Sequence, residues 1–367
     1  MNVLTAIPGW GMALIALVTS LLAVLWIHPK VVLIALKKKI TDNPNKRKLQ
    51  KAPVPVLGGC VVFFGLMLGC GVVSLSCMSV NSFVFFTLIC VMLYTGMMDD
   101  ILGLTPGIRF LIEALVALTL IFYAGYCIND FHGLWGIGAI PTWIAVPLTL
   151  VTIVGIINAI NLIDGVDGLS SGYCIMSSTV FGIYFLNTGH TEAAVIAAAC
   201  TGALIPFFIF NVFGQKLKMF IGDGGSLLMG MVLSIFVVTV LDKHNSFNIS
   251  EDASGRVFGV VPFTLAIMAI PVFDTIRVMT MRVMKGKSPF RPDKTHLHHL
   301  FIELGFSHFQ TTMCELLLNA LIIIGWWLIY RIGASVDIQF YFVIFAGFLF
   351  TAVLYWSVRR FMRKRQS

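Results

Sequence analysis

The chain has 367 residues, 58% of them hydrophobic and only 11% charged, with a formal net charge of +8. A water-soluble domain carries about 25% charged residues, so this composition excludes one. Repeated apolar runs of about 20 residues fit a polytopic helical membrane protein, and a transmembrane barrel, with alternating segments of about ten residues, is excluded too.

The first 27 residues contain no Lys or Arg, so no cleavable signal peptide is expected. From there the apolar runs predict an all-α integral membrane protein of about eleven transmembrane helices. They fall at 9–36, 57–77, 81–98, 109–128, 144–162, 168–187, 192–213, 224–242, 258–281, 311–330 and 338–358, in one membrane domain over 1–367. Basic residues mark the sides. Lys37, Lys38, Lys39, Lys46, Arg47, Lys48 and Lys51 fill the first loop, and Lys216 and Lys218 follow the seventh run. Arg282, Lys285, Lys287, Arg291 and Lys294 follow the ninth, and Arg359, Arg360, Arg363, Lys364 and Arg365 make the tail. The opposite loops hold only Lys243, Arg256 and Arg331. The positive-inside rule therefore places the N-terminus outside and the tail 359–367 in the cytoplasm. Cytoplasmic loops follow at 37–56, 99–108, 163–168, 214–223 and 282–310. The charge is explained by topology, and no nucleic-acid partner is expected. The eight cysteines lie in or beside apolar runs without a CxxC pair, which reads as small buried hydrophobes rather than a zinc or disulfide framework.

Carboxylates at membrane depth are costly and usually functional. Asp99, Asp100, Asp164, Asp167 and Asp223 all fall on the cytoplasmic face in this arrangement, so convergence on one divalent cation is expected. In chain order, the first loop, with Lys48, forms a basic collar suited to an anionic lipid head or a nucleotide. Asp99 and Asp100 end the third span as a repelling pair, suited to a hard cation or to a base. Arg109 and Glu113 share a face of the fourth span and are placed to support that pair. In the run Asn158-Ala-Ile-Asn161-Leu-Ile-Asp164-Gly-Val-Asp167-Gly-Leu169, Asn158 and Asn161 share a helix flank and Asp164 lies just past it. Asn211, then Phe220-Ile-Gly-Asp223-Gly-Gly-Ser226, puts a carboxylate among glycines at a helix start, where free N–H groups hold phosphate. Asp274 and Arg277 form an intramembrane pair at i and i+3, readable as purely structural. The long loop carries Arg291-Pro-Asp293-Lys-Thr-His296-Leu-His298-His299. If that segment is helical, His296 and His299 share a face and His298 points elsewhere.

Together these segments, from about residue 36 to 306, resemble the polyprenyl-phosphate N-acetylhexosamine-1-phosphate transferases. The Asn161–Leu169, Phe220–Ser226 and Pro292–Leu300 segments are the most specific, and Pro-Asp before His-x-His-His resembles the GlcNAc-type branch. The resemblance implies a multi-pass enzyme of the bacterial cytoplasmic (inner) membrane that uses Mg²⁺, with Mn²⁺ as a substitute. Its partners would be a polyprenyl phosphate and a UDP-N-acetylhexosamine, and a homodimer is allowed. It implies Asp223 and Asp164 as metal ligands, and Asp99, Asp100, Asp164, Asp167 and His296 as catalytic groups. Asn158, Asn161, Asn211, Arg109, Arg291, Asp293, His298, His299 and Lys48 would bind substrate. Two departures stand out: Gln50 where many relatives have His, and Glu113 where they have Gln.

The implied reaction moves N-acetylhexosamine 1-phosphate, most simply GlcNAc-1-phosphate, onto undecaprenyl phosphate. It releases UMP and starts a cell-surface glycan such as an O-antigen or cell-wall chain. Direct attack and a two-step route through an aspartyl intermediate are both open. The nearest alternative is the phospho-N-acetylmuramoyl-pentapeptide transferase of peptidoglycan synthesis. From another class, a cation-coupled transporter would also use Asp, Asn and broken helices, but it would place them near mid-membrane.

Overall fold

A computed structural model describes residues 7–42, 53–243, 255–289 and 294–366. The helices are α1 (Gly9–Lys38), α2 (Gly58–Cys77), α3 (Val80–Leu102), α4 (Pro106–Phe122), α5 (Thr142–Leu162), α6 (Leu169–Asn187) and α7 (Thr191–Phe213). They continue with α8 (Gly222–Leu241), α9 (Val260–Ile267), α10 (Ala269–Met284), α11 (Leu297–Glu303), α12 (His308–Arg331), α13 (Val336–Phe348) and α14 (Leu354–Gln366). Every apolar run read from the sequence contains a helix, although in the fourth, read as 109–128, the helix stops at Phe122. Among the described residues, eight helical stretches are long and apolar enough to cross a membrane, or nine if α9 and α10 count as one. The apolar stretch of α2 is shorter, Gly58–Ser74, and α4 has 17 residues. The expected loop 37–56 also holds two short antiparallel strands, β1 (Thr41–Asp42) and β2 (Val54–Pro55).

The chain divides into two compact units, Met1–Gly125 with Asp167–Phe236, and Tyr126–Val166 with Val237–Ser367. In the first, α1 packs on α7 and α2, and α6 on α7. The first fifteen residues of α8 belong to this unit, and Leu227, Leu228, Met231, Val232 and Leu233 are all buried there. Outward faces carry exposed apolar chains on successive turns, as in Leu14, Val18, Leu22 and Leu25 of α1. Such a surface suits hydrocarbon rather than water.

In the second unit the ninth apolar run is not straight. α9 and α10 meet at a 75° bend. Proline cannot donate to the carbonyl four residues back and crowds it; for Pro271 that residue is Ile267, where α9 stops. The freed backbone groups are taken up by α12. Asn319 Oδ1 accepts from Ile270 N at 2.9 Å, and its Nδ2 donates to Ile267 O at 3.1 Å and Ala266 O at 3.4 Å. A broken backbone at membrane depth needs such internal partners. Buried Gln339 of α13 does similar work, accepting from Gly259 N and Trp326 Nε1 and donating to Val257 O and Ala334 O. α13 runs into α14 through a π-helical stretch, Leu349–Val353.

Candidate active site

In the first unit the acids at the foot of α3 are arranged by their neighbours. α3 ends at Gly103, which is left-handed, and the chain turns so that Leu104 N donates to Asp99 Oδ1 at 2.8 Å. Arg109, in the first turn of α4, donates from Nη1 to Asp99 Oδ2 at 3.2 Å, and its Nε lies 3.3 Å from buried Glu113. The support expected from the shared face of α4 is therefore present. Asp100 faces the other way. Its carboxylate accepts from Asp223 N at 3.1 Å and Gly224 N at 3.2 Å, capping the N-terminus of α8, where a negative charge meets free N–H groups and the positive helix end. Only glycine permits this approach. Gly222 has φ +70°, and a Cβ there would stand 2.6 Å from Asp100 Oδ2, while a Cβ on Gly96 of α3 would strike the backbone of Asp223 and Gly224. The capping brings the like charges of Asp100 and Asp223 near enough to repel, with Asp99 adding to the repulsion.

The segment before α8 is laced to the segment before α2. Phe220 N donates to Pro55 O at 2.8 Å, Gly58 N to Phe220 O at 3.1 Å and Gly59 N to Ile221 O at 2.9 Å. Asp167 accepts from Lys218 Nζ at 2.6 Å. Asn211, expected to touch substrate, joins two backbone segments: its Oδ1 accepts from Gly168 N at 2.7 Å and its Nδ2 donates to Met219 O at 2.8 Å. It is buried in doing so.

In the second unit, Asn158 and Asn161 lie in the last two turns of α5, and Asp164 follows in the turn beyond, as the spacing predicts. Asn158 Nδ2 donates to Val154 O at 2.8 Å. A Cβ on Gly165 would stand 2.9 Å from His298 Nε2, so this turn lies against the histidine segment. The histidines differ from expectation. His296 is the N-cap residue of α11, with extended φ and ψ of −64° and 158°, not a residue of the helix. Its ring therefore lies parallel to that of His298, 6° apart in plane and 5.7 Å between centres, and the face predicted to be shared with His299 does not form. Burial first, then the neighbouring histidines, push the His298 imidazole well below its usual range. His299, half-buried, is lowered for the same reasons.

His296 is held from α10. Its Nδ1 lies 2.8 Å from Asp274 Oδ2, and Asp274 Oδ1 accepts from Arg277 Nη2 at 2.6 Å and Nε at 3.2 Å. The Asp274–Arg277 pair, readable from sequence as purely structural, is thus attached to the histidine segment. Lys48, Arg291 and Asp293 lie outside the described residues, as does Gln50.

Of the five acids, Asp99, Asp100, Asp167 and Asp223 belong to the first unit and Asp164 to the second. Among the described residues, no three His, Cys, Asp or Glu side chains are gathered so as to hold a metal by themselves. Sequence reasoning missed the Lys218–Asp167 pair, the clamp made by Asn211 and the link from Asp274 to His296. Each joins positions far apart in the chain, and only the residue types gave any signal.

Comparison with known proteins places this arrangement. The family model for glycosyl transferase family 4 matches residues 82–241, which contain all five acids. The chain is 31% identical to the undecaprenyl-phosphate alpha-N-acetylglucosaminyl 1-phosphate transferase of Pasteurella multocida (strain Pm70), over 94% of both chains. It is 30% identical to the proteins of the same name from Salmonella typhi, over 90% of this chain and 88% of that one, and Yersinia pestis, over 90% and 89%. With likeness running along nearly the whole of both sequences, the chain belongs to glycosyl transferase family 4.

Proposed function

We propose that the protein transfers N-acetylglucosamine 1-phosphate from a UDP-linked donor to undecaprenyl phosphate, releasing UMP and starting a cell-surface glycan. Supporting this reading are the activity for which the relatives are named and one structural observation above all: Asp100 capping α8, which draws Asp99, Asp100 and Asp223 together at one end of two spans. One substrate is soluble and the other lies in the leaflet, so the site belongs at a membrane surface. The Lys and Arg distribution favours the cytoplasmic face of the inner membrane.

Magnesium is the metal we assign. The donors fit it: Asp100 and Asp223 are hard oxygen ligands whose crowded charge calls for a cation, and magnesium takes one or two carboxylates with water and phosphate oxygens completing its shell. Asp223 would be the principal ligand. When bound, the ion offsets the repulsion between two phosphate groups. The chain's own residues do the rest. Asp99, oriented by Arg109 and the Leu104 N–H, accepts a proton from the lipid phosphate when one remains, and the oxygen of that phosphate attacks the donor's sugar-bearing phosphorus as UMP leaves. Arg109, neutralised by Asp99 and Glu113, acts chiefly to aim Asp99. From the family resemblance, Asn158, Asn161 and Asp164 would supply amide and oxygen contacts for the nucleotide, and His296 would offer Nε2 as an acceptor to a hydroxyl of the sugar. His298, held neutral by burial, supplies hydrogen bonding and shape rather than charge.

The test is an assay of purified protein with undecaprenyl phosphate and a panel of UDP-sugars, with and without Mg²⁺. UMP release with UDP-GlcNAc that depends on both lipid and Mg²⁺ is expected. Cation-driven uptake into vesicles with no UMP formed would replace this reading with the transporter.

A further inference from the structure

Proceeding from that reading, we propose that Asp274 is a positioning residue of the reaction, fixing both the proton location and the ring orientation of His296. The geometry carries it. Asp274 is buried one turn past the bend between α9 and α10. Its Oδ2 meets His296 Nδ1 at 2.8 Å and also accepts from Leu297 N at 3.3 Å, so one carboxylate oxygen holds the ring and the first turn of α11. Its Oδ1 is occupied by Arg277, whose Nη2 reaches on to Thr295 O at 2.6 Å and whose guanidinium lies 4.0 Å from the centre of the Tyr355 ring of α14. Residues 295, 296 and 297 are thereby each held from the α10 side. A carboxylate accepts but does not donate when ionised, so in the neutral ring Nδ1 carries the proton and Nε2 presents its lone pair. Nε2 is buried and has no hydrogen-bond partner among the described residues. An imidazole with one nitrogen committed to a carboxylate and the other bare is set up for an incoming group, the arrangement in which a carboxylate fixes the tautomer of a working histidine.

A packing role alone would make different demands. A structural pair needs Asp274 and Arg277 to satisfy each other, which they do; it does not need His296 inserted against the same carboxylate with its far nitrogen unsatisfied. Glu315 of α12 is buried close enough to act electrostatically on Asp274 and Arg277, and its Oε1 has no hydrogen-bond partner among the described residues. Yet Asp274, not Glu315, is bonded to the ring.

The experiment uses full-length protein with ¹⁵N-labelled histidine, read by NMR at about pH 8, His296 being assigned by comparison with H296A. A proton on Nδ1 in the unaltered protein is expected; a bare Nδ1 would overturn the proposal, and this measurement needs no altered Asp274. In the UMP-release assay, D274N should lower kcat by about tenfold to a hundredfold with the KM for UDP-GlcNAc nearly unchanged. In an H296A background D274N should cost no further activity, whereas losses that multiply would show that Asp274 acts independently of His296. Should the unaltered protein release no UMP, the functional reading fails, while the position of the His296 proton still decides whether Asp274 controls that ring.

Discussion

The acid cluster of the first unit and the histidine cluster of the second manage charge in opposite ways. Around Asp274, one arginine and one histidine sit on a single carboxylate, so its charge is answered within the fold. Around Asp100, the partners are backbone N–H groups at the head of α8, and these carry only the partial charge of a helix end against the combined charge of Asp99, Asp100 and Asp223. Arg109 offsets part of that and is itself shared with Glu113. One cluster answers a single carboxylate with two side chains; the other crowds like charges around a helix N-terminus. Crowded like charges at a helix start, as much as the residue types themselves, thus mark the candidate site.

That contrast gives its largest test at Asp223. D223N removes the proposed principal ligand while keeping the size of the side chain, and UMP release should fall by about a thousandfold or more, on the scale of losing a central electrostatic group. Thermal stability should hold or rise, since repulsion with Asp100 is relieved. A D223N protein with ordinary turnover at ordinary Mg²⁺ would remove the metal assignment. A smaller effect is expected at Asp100, where capping is the fold's own use of an acid. D100A strips the acceptor from Asp223 N and Gly224 N and should cost about 1–2 kcal/mol of stability, measurable by denaturation in detergent, together with a loss of activity. D100N, which keeps one acceptor, should recover part of the stability without the charge. If D100A were as stable as the parent, the cap would be incidental.

The smallest effect belongs to the second unit. Burial holds the His298 pKa below that of an unfolded histidine, about 6.5. Unfolding therefore takes up a proton below that pH, and the stability from keeping His298 neutral is complete above about 6.5 and declines as pH falls below it. Denaturation midpoints between pH 5 and 8 should show this slope, and H298Q should flatten it. A slope unchanged in H298Q would assign it to another group.

Much of this was legible in the sequence. Hydropathy alone locates the apolar helices, but it counted eleven spans where eight or nine of the described helical stretches are long and apolar enough to cross, α2 and α4 being too short. Asp99, Arg109 and Glu113 were legible as a set, since helical spacing links Arg109 to Glu113 and a short loop separates Arg109 from Asp99. The run from Asn158 to Asp164 was legible for the same reason. Other features rest on contacts between distant positions. Pro271 shows in the sequence, but the 75° bend also depends on Asn319, which nothing local connects to it. Two-residue strands such as Thr41–Asp42 show no alternation to read. The histidine arrangement turned on a single boundary: had α11 begun one residue earlier, His296 would lie on the helix and face elsewhere.

Asn319 has a mechanical consequence. Because one side chain of α12 holds both ends of the fracture between α9 and α10, that corner behaves as a pinned joint and not as a spring. Turning α12 by even one residue would withdraw the pin and leave amide and carbonyl groups bare in oil. Movement that carries the Asp274 carboxylate must therefore take α12 with it, so the histidine segment travels with a whole scaffold or stays still.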